Sequence, residues 1–162
     1  MFKEICAYRP ELKDLWFRRQ LLADEDTMSY NEAWGGTIPF PEEKWETWYR
    51  AWLKAPEDLR WYRYLYDTEK KIFVGEMAYH MDAERRVYLC DVVVKAEYRG
   101  NGYGTAGIGL ICKAAAKNGI TELYDDIAAD NPSLELFLKQ GFGICRRDDT
   151  AVTVRKVLRP DF

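Results

Sequence analysis

A β-branched run, Val92-Val93-Val94, leads within a few residues into Arg99-Gly100-Asn101-Gly102-Tyr103-Gly104, and a segment rich in Ala, Leu and Ile then runs to Lys117. The first piece reads as a buried strand and the last as a helix, so the order is strand, glycine loop, helix. No other stretch narrows the fold as far. Glycines at such a junction permit positive φ and turn successive N–H groups toward one point. The helix N-terminus behind them adds roughly half a positive charge. Together they make an anion cradle suited to a pyrophosphate. A P-loop is excluded, because no Lys-Ser or Lys-Thr follows the last glycine. A dinucleotide fingerprint needs G-x-G-x-x-G in an early βαβ unit, whereas this loop reads G-x-G-x-G late in the chain. What remains is Arg99-x-x-Gly102-x-Gly104 behind a strand, or a packing turn that binds nothing.

The chain around this loop is sized for one core: 162 residues, 48% hydrophobic and 31% charged. A single domain over residues 1–162 is expected. A net charge of −3, with no Lys/Arg block, offers nucleic acid no attractive surface, so no nucleic-acid partner is expected. No apolar run approaches membrane-spanning length, and Met1-Phe-Lys-Glu-Ile has no signal-peptide pattern, so no membrane partner is expected. Cys6, Cys90, Cys112 and Cys145 are widely separated, and His80 is the single histidine. That pattern predicts reduced thiols, no metal site and a cytoplasmic protein.

Hydrophobic periodicity lays out the elements. Residues 2–8 alternate and predict a strand. Residues 11–23 predict an amphipathic helix with Leu12, Leu15, Trp16, Arg19 and Leu22 on one face. Pro41-Glu-Glu-Lys opens a second helix that carries Trp45, Trp48, Tyr49 and Trp52, read mainly as core, and ends before Pro56. Strands are predicted over 61–66, 72–79 and 87–94, an antiparallel meander in which His80 is a surface or hairpin residue. Beyond the glycine loop and its helix, 122–128 predicts a strand parallel to 87–94. A short helix over 134–140 and a hairpin of 142–147 with 151–158 follow. Gly107 and Gly109 inside the long helix cost about 1 kcal/mol each relative to Ala, which close backbone approach would explain. The class is α+β, a mixed sheet with helices on its faces.

A second motif follows the first. Asn131-Pro-Ser-Leu-Glu-Leu-Phe137-Leu-Lys-Gln-Gly141-Phe142, taken with Arg99-x-x-Gly102-x-Gly104, resembles the GNAT superfamily of N-acetyltransferases over residues 61–158. The resemblance implies a mostly antiparallel mixed sheet of about seven strands flanked by about four helices. It also implies a splay between the strand before the glycine loop and the parallel strand after it. Residues 61–158 would form the acetyl-CoA-binding core, and residues 1–60 the variable acceptor-side region. Acetyl-CoA, as co-substrate, would be held by the backbone at Val92 and Val94, by Arg99, Gly100, Asn101, Gly102, Tyr103, Gly104 and Thr105, and by Asn131 and Phe137. A backbone N–H near Val94 would hold the developing oxyanion. Two departures stand out. The family's frequent Tyr, four residues before the glycine, is Phe137, and the Asn lies one residue closer to that glycine than usual, so Asp130 or Asn131 fills its place.

Proton chemistry is the less specified part. An amine must be neutral to attack a thioester, so some group must accept a proton. Asp91 beside the binding edge and Glu76 on the neighbouring strand are candidate bases or substrate anchors. Tyr88 is a third, at a strand position where some family members carry a base. Tyr103 and Tyr124 are candidate replacements for the missing acid. Tyr30 and Trp34 are candidates on the acceptor side. Asp24, Glu25, Asp26, Glu32, Glu42 and Glu43, interleaved with aromatic residues, either solvate a loop or favour a polycationic acceptor such as a polyamine or aminoglycoside. The function implied by the resemblance is direct acetyl transfer, in a ternary complex, to a primary amine of a small molecule or of a peptide or protein. The alternatives are a catalytically silent acyl-CoA-binding module, and an interaction domain using the aromatic N-terminal region. A homodimer is left open.

Overall fold

Period-two alternation from Arg60 onward builds the centre of the molecule. In the computed structural model, which describes residues 4–159 apart from the side chains of Ala33 and Trp34, β1 (Ile5–Tyr8), β2 (Arg60–Asp67), β3 (Ile72–Asp82) and β4 (Val87–Val94) pair successively and antiparallel. β5 (Glu122–Ala128) joins β4 in parallel, and β6 (Gly143–Arg147) and β7 (Ala151–Val157) complete a seven-stranded sheet of order β1-β2-β3-β4-β5-β7-β6. Five helices accompany it: α1 (Leu15–Ala23), α2 (Glu25–Met28), α3 (Trp45–Leu53), α4 (Tyr103–Lys117) and α5 (Ser133–Lys139). This is the expected mixed, mostly antiparallel sheet. Residues 2 and 3 of the predicted first strand lie outside the described residues.

Alternation sends successive side chains to opposite faces. On one face Trp61, Leu65, Met77, Tyr79 and Cys90 pack with Ile108, Ile111 and Phe137 of α4 and α5. On the other, Tyr62, Tyr64 and Ala78 meet Phe17, Leu21 and Leu53 of α1 and α3, with Trp48, Tyr49 and Trp52 around them. Trp48, Tyr49 and Trp52, expected mainly as core, are half-buried and pack against the edge of this cluster. α4 reaches the sheet closely at Gly107, where a Cβ would lie 2.9 Å from Val92 Cγ2. Gly109 has no such neighbour: a Cβ there meets nothing within 4 Å.

Two features of the N-terminal region differ from expectation. α1 turns Phe17 and Leu21 inward with Leu15 and Leu22, while Trp16 stays 49% and Leu12 42% exposed. The chain enters α1 through a 3₁₀ turn, Leu12–Asp14, held by the Tyr8 hydroxyl and the Glu11 N–H, each 2.9 Å from Asp14 Oδ2. A turn of three residues resets the helical phase assumed across 11–23. The fifth helix, α2, was not expected. Its start is an N-cap: Asp24 accepts the Thr27 N–H at 3.3 Å and the Thr27 hydroxyl as well. His80 lies within β3 rather than at its turn, half-buried, its ring 5.6 Å from that of Trp52. Among the described residues, no helix is long and apolar enough to cross a membrane.

Candidate active site

The parallel junction of β4 and β5 is a single register pair, Leu89 with Tyr124. β5 pairs along its whole length with β7 on its other side. Past Leu89, β4 and β5 therefore diverge, and β4 is left with an open edge. The Lys95 N–H donates to Val74 O at 2.9 Å, which sets the parity. Val93 and Asp91 turn their backbone groups to β3, and Val92 and Val94 turn theirs to the opening. A cleft of about 470 Å³ follows this gap. Asp91 to Val94 line it on one side, Asp125 to Ala128 on the other, with the glycine loop and α5 at one end and Thr27, Met28 and Tyr30 beside them.

The loop meets the cleft with backbone. Gly100 and Gly102 take φ of +78° and +83°, and Gly102 is the N-cap of α4. No side chain caps that helix, so the N–H groups of its first turn lack intrahelical partners and face an approaching anion. A Cβ at Gly104 would come within 2.7 Å of Leu136 Cδ2. The cradle thus fits a pyrophosphate by its backbone donors and by its lack of side chains.

Side chains of the loop do other things. Tyr103 is buried, and its hydroxyl donates to Asp67 Oδ2 at 2.6 Å. Asp67 also accepts the N–H groups of Lys70 and Glu69 at 3.0 Å, and these donors hold its pKa below the usual range. Asn101 folds back, its Nδ2 donating to Tyr98 O at 2.9 Å. Arg99 turns its guanidinium to α2, donating to Thr27 O at 2.7 Å and lying 4.3 Å from the Tyr30 ring centroid. The Ala96 N–H donates to Thr27 Oγ1 at 2.9 Å. Through Thr27, α2 is thereby fastened to the glycine loop. Asn131, in the cleft wall, accepts the Ser133 N–H at 2.9 Å and starts α5.

The carboxylates separate by face. Asp91 is exposed to the cleft, where water reaches it. Desolvation by the packed sheet around its strand, with the Glu76 charge added, pushes its pKa up to about 7, and Arg18 opposes the shift. Glu76 sits behind it, 6% exposed and away from the cleft lining. It accepts the Tyr62 hydroxyl and faces Arg18 Nη1 at 3.7 Å. Arg18 is sandwiched by Trp48 and Phe40, with ring centroids at 4.4 and 4.9 Å. Glu76, expected as a base, is sealed in this network and reaches substrate only through its effect on Asp91.

Three tyrosines are also displaced from the expected chemistry. Tyr88 projects from the face opposite Asp91, and its hydroxyl donates to Asp58 O at 2.6 Å, outside the cleft. Tyr124 donates to Glu122 Oε2 at 3.0 Å, also outside it. Tyr103 is committed to Asp67. Phe137 stands in the cleft wall, 2% exposed, its ring 5.0 Å from that of Phe142. Of the acceptor-side candidates, Tyr30 lines the cleft with its ring face covered by Arg99, while the Trp34 side chain lies outside the described residues. The acidic cluster of the N-terminal region stays off the cleft lining, and Arg18 and Arg99 occupy the ring faces of Phe40 and Tyr30. Of the aromatic faces expected to meet a polycation, those of Phe40 and Tyr30 are thus covered by the protein's own arginines.

Thr27 and Asp125 are among the cleft residues that went unforeseen. Thr27 was legible as the third residue after an Asp N-cap, a short capping signal. Asp125, next to Asp126 in β5, carried only the weak signal of a charge pair inside a strand.

A sequence model described as the acetyltransferase (GNAT) family matches residues 19–142, well over half of the chain. No curated protein matches the sequence. Among solved structures, spermidine N-acetyltransferase from Vibrio cholerae, in complex with CoA and spermine, superposes with a TM-score of 0.76 at 17% identity, covering 95% of this chain and 94% of that one. A GNAT-family acetyltransferase from Streptococcus pneumoniae gives 0.77 at 16% identity, over 96% and 100% of the two chains. The Salmonella typhimurium protein yncA, with its cofactor acetyl-CoA, gives 0.74 at 15% identity, over 98% and 95%. At these identities the likeness is one of fold. The family match, the divergence of β4 from β5 and the uncapped start of α4 agree: the chain belongs to the GNAT family of acetyltransferases.

Proposed function

We propose that the protein transfers the acetyl group of acetyl-CoA directly to a primary amine of a small molecule or peptide, with both substrates bound in the cleft at once. The observation that carries this reading is the pairing of an open strand edge and anion cradle on one side with a cleft carboxylate of raised pKa on the other. Crystals of fold neighbours with CoA and with acetyl-CoA support the choice of co-substrate. Residues up to about 60 supply the acceptor wall through Thr27, Met28 and Tyr30.

Each group has a separable task. When bound, acetyl-CoA supplies an acetyl group on a good thiol leaving group. The N–H groups at the start of α4 hold its pyrophosphate, and the backbone of Val92 and Val94 pairs with the extended arm as an added strand would. The Val94 N–H, on the open edge, stabilises negative charge on the acetyl oxygen. Asp91 takes a proton from the acceptor ammonium. Glu76 and Arg18 tune Asp91 from behind.

Release of free thiol from acetyl-CoA against a panel of amines, spermine among them, tests the activity. Replacing Gly102 and Gly104 together with Val tests the site. The first substitution forces a side chain into φ of +83°, a strain of about 1–3 kcal/mol. The second forces a branch against Leu136 of the cleft wall, where a Cβ alone would lie 2.7 Å from Cδ2. We expect acetyl-CoA binding, followed by calorimetry, to be lost. Unchanged affinity in a folded double variant refutes the placement. Binding without turnover of any amine points instead to a silent acyl-CoA-binding module.

A further inference from the structure

The mechanism above leaves the departing thiolate without a proton donor. Phe137 has no hydroxyl, and Tyr103 and Tyr124 are engaged elsewhere. The register of the diverging strands shows what else faces the gap. Leu89 pairs with Tyr124, so these two share a face, and Asp91 lies on that face too. Asp125, one residue past Tyr124, falls on the opposite face, with Cys90, Leu123 and Ile127. This is the side of α4, α5 and Phe137. The two aspartates therefore enter one cleft from its two sides, Asp91 from the acceptor helices and Asp125 from the glycine-loop helices. Asp125 is the first residue of β5 beyond the last pair with β4, at the apex of the opening.

We propose that Asp125 donates the proton to the leaving sulfur, the part for which Phe137 has no hydroxyl. The inference rests on the acetyl-transfer reading of this cleft. Its surroundings favour the neutral form of Asp125. From β7 the register partner is Val154, which is fully buried. From β4 it meets the Cys90 thiol and Asp91, and within β5 its neighbour Asp126 is occupied by Arg85 and by the Thr153 hydroxyl. Among the described residues, no cation forms an ion pair with Asp125. Burial, then the Asp91 charge, push its pKa well above ordinary carboxyl values.

The step balances. The amine nitrogen forms a bond to the acetyl carbon, and the C–S bond breaks with its electron pair going to sulfur. Sulfur takes the Asp125 proton. The nitrogen arrives as ammonium and sheds two protons, the first to the Asp91 carboxylate and the second to the Asp125 carboxylate just formed. Asp125 ends neutral, as it began, and Asp91 returns its proton to water.

The protein alone supplies the first test. With ¹³C-labelled Asp carboxyls, assigned by loss of one signal in Asp125→Asn, the Asp125 resonance should remain that of a neutral acid through pH 7. An ionised signal at pH 7 overturns the proposal. The second test is rescue. With acetyl-CoA and an accepted amine, Asp125→Asn should lower kcat by about 10²-fold, the lower end of what a positioned acid supplies, with acetyl-CoA affinity retained. Asp125→Asn combined with Phe137→Tyr should regain at least tenfold of that loss, because the new hydroxyl projects from the same wall. Unaltered kcat in Asp125→Asn, or a loss the second substitution does not repair, also overturns it. A wild-type protein that neither binds acetyl-CoA nor acetylates an amine overturns the function itself, which separates the two failures.

Discussion

Replacing Asp91 with asparagine removes a cleft carboxylate whose ionisation falls in the neutral range. Its pKa is pushed up to about 7 by desolvation and by Glu76. Only the ionised form accepts a proton, so wild-type kcat/KM should fall about tenfold per pH unit below that value and level off above about pH 8. A carboxylate at its ordinary pKa of about 3.9 would leave the same interval flat. Asp91→Asn keeps the shape of the side chain and should cost about 10²–10⁴ in kcat. Without a base the protein can use only free amine. Its kcat/KM should then climb about tenfold per pH unit to about pH 9 or beyond, since an alkylamine titrates near 10.4. Glu76→Gln provides the signed control. It removes the negative charge behind Asp91, keeps an acceptor for the Tyr62 hydroxyl, and should move the acid limb to lower pH. The assay is the initial rate of thiol release at constant ionic strength, with acetyl-CoA affinity measured alongside. An Asp91→Asn profile that still bends near pH 7, or a Glu76→Gln limb that does not move, refutes the assignment.

Stability makes further demands on the same frame. At Gly75 a Cβ would lie 2.3 Å from the Val93 carbonyl oxygen, which is backbone and cannot swing aside. Gly75→Ala should therefore cost about 1–3 kcal/mol or more by overpacking, and an unshifted Tm refutes that. Gly109→Ala meets open space within α4 and should gain about 0.5–1 kcal/mol, read as a raised urea midpoint with acetyl-CoA affinity unchanged. Asp67 has a folded pKa lowered by the Lys70 N–H and the Tyr103 hydroxyl. Its contribution is present above the unfolded value of about 3.9 and is lost as pH falls through the lower folded one. The Tm gap between wild type and Asp67→Asn should accordingly close under acid. A gap that persists at the lowest pH still compatible with folding assigns the effect to something other than that carboxylate.

The local elements were legible in the residues. β4, α4 and β5 span Val87–Val94, Tyr103–Lys117 and Glu122–Ala128, as periodicity and glycine punctuation predict, because strand alternation and a helix's start and stop are properties of neighbouring residues. The glycine loop was legible for the same reason: its positive φ and close approach are demands on individual positions. The proton chemistry was not. Asp91, Glu76, Tyr88 and Asp125 all read as polar residues in strands, and nothing local separates them. Glu76 is withdrawn because α1 lays Arg18 across it, which depends on a 3₁₀ turn resetting that helix's phase. Tyr88 is excluded because alternation puts it on the far face, and which face becomes the acceptor side is decided when α1 and α3 dock. Asp125 reaches the cleft because β4 and β5 part after one pair. Register, docking and the parting of two strands are long-range events, and they alone determined which carboxylates share the cleft.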